Sequence, residues 1–240
     1  MASCTAIAFV EGVLVGDPLD VKMFQSTGWT LNDSPSGDAL AEVFPEEKRR
    51  SEFGSTLVRR FDFSAGLQRM SVVCNNKFDG NDSFKAFVKG SPEQITKLCL
   101  RDTVPGDFRD VLHVYSQAGY RVIALAYKEM PDGWQPLSNT DRADVESQLT
   151  FLGLLIMENK LKPVTKDIIR VLKEAEVTPI MATGDNVLTA ISVAGQCGII
   201  DDSKPIHFGD LHTTDNENDQ PWISWHLFGS ERDKDSIMLD

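Results

Sequence analysis

Long apolar runs are missing from this chain of 240 residues. Stretches such as Leu154-Leu155-Ile156-Met157 fall far short of the ~20 apolar residues that a membrane-spanning helix requires. The opening Met1-Ala2-Ser3-Cys4 leads into neither a basic nor an apolar segment, which argues against a secretory signal and for a chain soluble by itself. Cysteine is scarce. Cys4, Cys74, Cys99 and Cys197 stand far apart with no C-x-x-C pair, so zinc-ribbon and dithiol-redox chemistry fail on spacing. Reduced thiols facing the cytosol are the expectation. Positive charge is also in short supply: 24 Lys and Arg face 36 Asp and Glu, for a formal net charge of -12. Residues 201–240 alone hold 10 acids against 3 bases. A broad basic surface for nucleic acid is thereby excluded. A nucleotide is not, because its phosphates need only one or two local cations. His207, His212 and His226 fall in the acidic tail, where solvated side chains rather than metal ligands are expected.

What is present is the composition of a folded protein, 41% hydrophobic and 25% charged. Through residues 1–147, β-branched and aromatic runs dominate. Ile7–Val10 and Val13–Gly16 flank Glu11-Gly12, a tight-hairpin signal. Asp17 can cap a helix whose first position suits Pro18. A polar loop around Ser34–Asp38 precedes Thr56–Phe63, Leu67–Cys74 and Ser83–Val88, with turn signals at Ser64–Gly66 and Asp79-Gly80-Asn81. That is the pattern of an antiparallel sheet. Ser91-Pro92-Glu93 opens a second helix by the same cap-and-proline logic, Asp107–Ala118 reads as a third stopped by Gly119, and Tyr120–Tyr127 reads as a further strand.

Residues 151–200 change character. Phe151–Met157 is a continuous apolar run, as expected of a strand covered on both faces. Thr165–Ala175 carries Ile168, Leu172 and Ala175 at helical spacing, Thr178–Ala182 reads as a short strand, and Asp185–Cys197 as a helix. Such alternation is a parallel α/β unit, and two parallel strands do not complete a domain. Residues 201–240, with Trp222, Trp225 and Phe228 but no clear period, read as a loosely structured acidic tail. The fold class is α/β: an α+β domain with an antiparallel sheet, then a partial parallel unit.

Several segments carry chemistry. In Phe87-Val88-Lys89-Gly90-Ser91-Pro92-Glu93, a strand delivers a lysine, glycine permits close backbone approach and a helix begins. A cation beside free helical N–H groups suits a phosphate or a polar ring edge, although a surface lysine at a strand–helix junction reads the same way. In Arg60-Phe61-Asp62-Phe63-Ser64, an aromatic leaving a sheet offers a platform for a purine. Strict alternation would instead put Phe61 and Phe63 together in a core. Val15-Gly16-Asp17-Pro18-Leu19-Asp20 supplies two acids in a first helical turn, where the helix dipole already favours them. Arg121 begins an apolar strand and can either snorkel or reach a cleft. Met181-Ala182-Thr183-Gly184-Asp185-Asn186 ends one element and starts a helix, the usual place for ligand contacts in parallel sheets.

Together these segments resemble the P-type ATPases over about residues 1–200. Lys89-Gly90-Ser91-Pro92-Glu93 is similar to the signature of their nucleotide-binding domain, and the haloacid-dehalogenase-like phosphorylation domain would follow it. The resemblance implies that residues 1–147 are the nucleotide-binding domain and that 148–200 are a hinge and partial phosphorylation domain. It implies that Phe63 stacks on adenine, Met70 forms a pocket wall, Asp20 accepts from the adenine amino group, and Lys89, Gly90 and Arg121 serve the nucleotide. Ala65 and Gly66 stand where the family's ion pumps often carry basic residues, which leaves Arg69 as the nearby cation. Thr183, Gly184 and Asp185 resemble the Thr-Gly-Asp motif that lies against the γ-phosphate and its Mg2+. Met157-Glu158-Asn159-Lys160-Leu161-Lys162-Pro163 resembles the interdomain hinge, with Glu158 and Lys162 in wording close to the type-V branch of lysosomal and endosomal cation or polyamine transporters. Gly16–Phe24 points the same way. ATP with Mg2+ is the expected ligand, the rest of a membrane transporter the expected partner, and the cytosolic face of a late endosome or lysosome the expected setting.

The phosphate-accepting Asp-Lys-Thr-Gly-Thr string does not occur in this sequence, nor do Thr-Gly-Glu or Gly-Asp-Gly-x-x-Asn-Asp. Phosphoryl transfer depends on positioning and electrostatics around a nucleophile, so these residues are expected to bind ATP without turning it over. A non-catalytic interaction module of the same transporter would share the fold. A soluble phosphatase of the dehalogenase type fails for want of Asp-x-Asp after either apolar strand.

Overall fold

The computed structural model of the protein describes residues 1–35, 37–45, 53–78, 81–131, 134–135, 140–158, 160–184, 187–201, 203–212 and 221–227. The chain divides into two compact units, Met1–Gly106 with Ile123–Leu155, and Asp107–Val122 with Ile156–Asp240.

The first unit is organised by a seven-stranded sheet. A hairpin of β1 (Ala8–Val10) and β2 (Val13–Val15) turns at Glu11 and Gly12, both with positive φ, as the two-residue turn requires. Helix α1 (Pro18–Gln25) follows, with Asp17 as N-cap and Pro18 in its first turn. Strands β3 (Trp29–Asn32), β4 (Ala41–Pro45), β5 (Phe53–Ser64), β6 (Arg69–Phe78), β7 (Asn81–Gly90), β8 (Arg121–Glu129) and β9 (Thr150–Met157) lie in sequence order across the sheet, antiparallel from β3 to β8. The first residues of β8 and the last of β9 fall in the second unit. Helix α2 (Pro92–Leu98) is capped by Ser91, again with proline next. The short α4 (Arg142–Val145) precedes β9.

Two cores flank the sheet. On one face Met70, Val72 and Cys74 of β6 pack with Leu57 and with Cys4 of the N-terminal segment. On the other, Val73 and Ala86 pack with Val145 of α4, while Val88 meets Ile95 of α2 together with Ala124, Ala126 and Leu149. Alternation along β6 and β7 sends neighbouring residues to opposite faces.

The second unit contains the α3 helix (Phe108–Gln117), ended by Gly119 at φ 81, together with α5 (Thr165–Glu174) and α6 (Val187–Cys197). Three expectations need correction. Thr178–Ala182 forms no strand among the described residues, so the parallel strand pair is not made. Phe151–Met157 is not covered on both faces, because Leu152 of β9 is 55% exposed. The tail is not wholly irregular: β10 (His207–His212) and β11 (Trp222–Leu227) pair as an antiparallel hairpin. Phe228, Asn159 and the turn at Asp79-Gly80 lie outside the described residues.

Burial pushes the Cys4 thiol up to about 11 and the Cys74 thiol up to about 12, from an ordinary 9.0. An unfolded thiol therefore ionises first as the pH rises. The stability these groups contribute is complete below pH 9 and is lost as the pH climbs through the folded values. The urea midpoint is expected to fall across that alkaline interval, and to fall less in a Cys4→Ala, Cys74→Ala variant. Identical alkaline profiles for the two proteins would contradict this.

Candidate functional site

Lys89 stands one residue from the end of β7, opposite Met70 of β6 and Leu125 of β8. The residue is 6% exposed, so its ammonium is dry enough to require a partner. Its Nζ donates to Oδ1 of Asp20, which is itself 9% exposed. The other carboxylate oxygen, Oδ2, accepts from the backbone N–H of Ala6 at 3.1 Å.

Local sequence puts Asp20 there. Asp17 Oδ1 accepts from the Leu19 N–H at 2.9 Å and starts α1, so Asp20 lies in the first turn. Gly16 lets the N-terminal segment come close: a Cβ at that position would sit 2.9 Å from the Ala6 carbonyl oxygen and 2.8 Å from the Ile7 side chain. Gly90 does the same on the other side of Lys89. A Cβ there would lie 2.4 Å from the Gln68 carbonyl oxygen, which accepts from the Ser91 N–H at 2.9 Å. Met70 is 2% exposed and packs with Cys4, Leu57 and Val72 on the face that Lys89 shares.

Phe63 occupies the end of β5, where the register with β6 shifts between Phe61 and Ser64. That irregularity breaks the alternation expected to bury both rings. Phe61 packs against the cluster of Val73, Ala86 and Val145, whereas Phe63 is 63% exposed. The chain then turns back through Ser64, whose carbonyl accepts from the N–H groups of Leu67 at 3.2 Å and Gln68 at 2.7 Å. Ser64, Arg69, Gly90 and Ala124 lie opposite one another across β5 to β8. With strands ~4.8 Å apart, Phe63 and Lys89 therefore belong to the same end of the sheet, two strands removed.

Arg69 is not brought to Lys89 and Asp20. It precedes Met70 in β6 and so projects to the opposite face. There its Nε donates to Glu146 Oε2 at 2.5 Å. Glu146, which has a buried carboxylate, also accepts at Oε1 from Ser71 Oγ at 2.7 Å and from Arg142 Nε at 2.8 Å. This network is absent from the sequence reading. Arg142 and Glu146 stand at i,i+4 spacing, the one local signal, but nothing nearby in sequence marks Glu146 as buried.

The remaining candidates belong to the second unit. Arg121 opens β8, is exposed and belongs to the second unit. Thr183 and Gly184 are exposed on the connection before α6, and Asp185 lies outside the described residues. Glu158 and Lys162 are exposed; Glu158 Oε2 lies 3.9 Å from Lys160 Nζ, and the Lys162 carbonyl accepts from the Thr165 N–H at the start of α5. Among the described residues no group of three His, Cys, Asp or Glu could hold a metal ion, and no helix is long and apolar enough to cross a membrane.

Comparison with known proteins gives concordant matches. Residues 25–164 match the family model described as P-type ATPase, cytoplasmic domain N. The chain is 44% identical over 210 residues to the probable cation-transporting ATPase 13A4 of Gallus gallus, covering 83% of this chain and 17% of that protein. It is 39% identical over 236 residues to the polyamine-transporting ATPase 13A2 of Homo sapiens, covering 92% and 20%. It is 38% identical over 234 residues to the vacuolar cation-transporting ATPase YPK9 of Saccharomyces cerevisiae (strain ATCC 204508 / S288c), covering 85% and 16%. The chain thus spans a fifth or less of the length of these relatives.

Removing one member of a buried ion pair leaves an uncompensated charge and costs about 3–5 kcal/mol, whereas an apolar replacement of both partners is often neutral. Asp20→Ala is therefore expected to lower unfolding stability by about 3 kcal/mol, and the joint replacement Asp20→Leu, Lys89→Met by much less. Urea denaturation measures both. Equal losses in the two variants would show that the pair is not a coupled unit.

Proposed function

The chain belongs to the P-type ATPase family, of which it carries cytoplasmic domain N, and from that premise we propose that its first unit binds ATP. The observation that carries this reading is the pairing of an exposed aromatic, Phe63, with a buried polar floor, Lys89 and Asp20, at one end of one sheet. Adenine stacks on the Phe63 ring. The Lys89 ammonium has three donors, and with one given to Asp20 it keeps capacity for the polar edge or phosphate of the nucleotide. Asp20, with both oxygens engaged, serves first to hold Lys89 and only by rearrangement accepts from the adenine amino group. Met70 supplies apolar wall, and Gly90 leaves the backbone clear of a side chain. Arg69 is not assigned to the nucleotide, since Glu146 holds its guanidinium on the far face.

The wider reading follows the family. Arg121 contacts the phosphates, Thr183, Gly184 and Asp185 lie against the γ-phosphate, and Glu158 and Lys162 form the hinge. Mg2+ arrives with the triphosphate. The longer transporter, whose remaining domains are the partners of this one, couples ATP hydrolysis through an aspartyl-phosphate to cation or polyamine movement. Its membrane is that of the late endosome or lysosome, with this region on the cytosolic side.

One aromatic stack of about 1–3 kcal/mol and one or two charge-assisted contacts must offset the cost of association. ATP is expected to bind with a Kd on the order of 0.1–10 mM, read by titration followed with NMR. Phe63→Ala is expected to weaken it at least about fivefold. The 240-residue chain is expected to hydrolyse no ATP above buffer. Binding indifferent to Phe63→Ala would overturn the pocket, and Mg2+-dependent turnover that survives purification would overturn the division between binding and chemistry.

A further inference from the structure

The Phe63 turn is tied down by a side chain far away in sequence. The Arg142 guanidinium donates from Nη1 to the Asp62 carbonyl at 3.1 Å and from Nη2 to the Arg69 carbonyl at 2.8 Å, so one planar group bridges both ends of the segment that displays Phe63. Its third nitrogen, Nε, donates to Glu146 Oε1 at 2.8 Å. Glu146 in turn holds Arg69 Nε, and Arg69 Nη1 reaches the Leu67 carbonyl at 3.3 Å, a third tie on the same turn. Glu146 is fully buried, so the anchor for this fork is fixed by the core rather than by solvent. The end of α4 is held as well: Lys128 of β8 donates to the Asp144 carbonyl and to the Ser147 carbonyl at 3.1 Å.

We propose that Arg142, anchored by Glu146, is a positioning residue for nucleotide binding, which acts by holding the Phe63 turn in its stacking-competent shape. This rests on the reading of Phe63 as the adenine platform. The physical reason is preorganisation. An exposed ring on a loose turn must be ordered when the base arrives, and a turn already fastened at both ends avoids that cost. A guanidinium suits the task because its rigid fork can meet two carbonyls and a carboxylate at once, which an ammonium does not reproduce.

Arg142→Lys keeps a positive charge beside Glu146 but loses the fork. It is compared in the 240-residue chain with Phe63→Leu and with the double variant, by ATP titration and by amide hydrogen exchange. Arg142→Lys is expected to weaken ATP about fivefold when Phe63 is present and less than about twofold in the Phe63→Leu background, because the two residues act as one unit. The Leu67 and Gln68 amides, bonded to the Ser64 carbonyl, are expected to exchange about tenfold faster while β7 and β8 stay protected. Equal losses of affinity in both backgrounds, or unchanged exchange at Leu67 and Gln68, would overturn the proposal. Should Arg142→Lys strip protection from β7 and β8, Glu146→Gln is read by the same two criteria. A wild-type chain that binds no ATP would overturn the nucleotide reading itself, while raised exchange in Arg142→Lys would still establish the tie.

Discussion

Lys89 carries an ammonium into a position that is almost dry, and the structure around it is arranged so that this charge is never unpaired. Asp20 meets it from α1, and Ala6 completes the shell of Asp20 from the N-terminal segment. Two contacts of one carboxylate fasten three stretches together: the N-terminal segment, the first helix and the end of β7. Each has a local device for the task. Gly16 permits the close pass over Ala6, Asp17 and Pro18 start the helix one turn early enough to place Asp20, and Gly90 leaves room for the Gln68 carbonyl beside Lys89. Loss of any of these would disturb the others, because a buried charge allows little positional slack.

The sheet then divides the work between its faces. Met70 and Lys89 face α1 and the N-terminal segment, while Arg69, Ser71 and their partner Glu146 face the other way. Two buried acids, Asp20 and Glu146, thus hold cations on opposite sides of adjacent strands. In the proposed reading one pair forms the floor of the nucleotide site and the other sets the shape of the turn that offers Phe63. A rigid floor and a fastened but exposed platform suit a domain that takes up a nucleotide weakly and releases it.

Much of this was legible because it is local. Asp17-Pro18 and Ser91-Pro92 announced two helix starts, and Glu11-Gly12 announced a hairpin. What escaped depends on partners distant in sequence. Trp29–Asn32 and Ala41–Pro45 are short and half polar, and they become strands only by pairing with each other and with β5. Thr178–Ala182 has the composition of a strand but no paired neighbour among the described residues. The exposure of Phe63 hangs on a register shift that alternation alone does not foresee. Arg69 and Met70 are neighbours in sequence, yet alternation along β6 sends them to opposite faces, so Arg69 meets Glu146 rather than the Lys89–Asp20 pair. Glu146 was invisible as a buried acid because its cations come from β6 and α4 together.

The proposed nucleotide site lies where β5 and β7 end and β6 begins. A titration of the 15N-labelled chain with ATP, followed residue by residue in amide chemical shifts, tests that place most directly. The expected result is a saturable set of shifts confined to residues 62–70, the Lys89–Ser91 junction and the first turn of α1. Shifts clustered in the second unit, or scattered with no saturation, would contradict it.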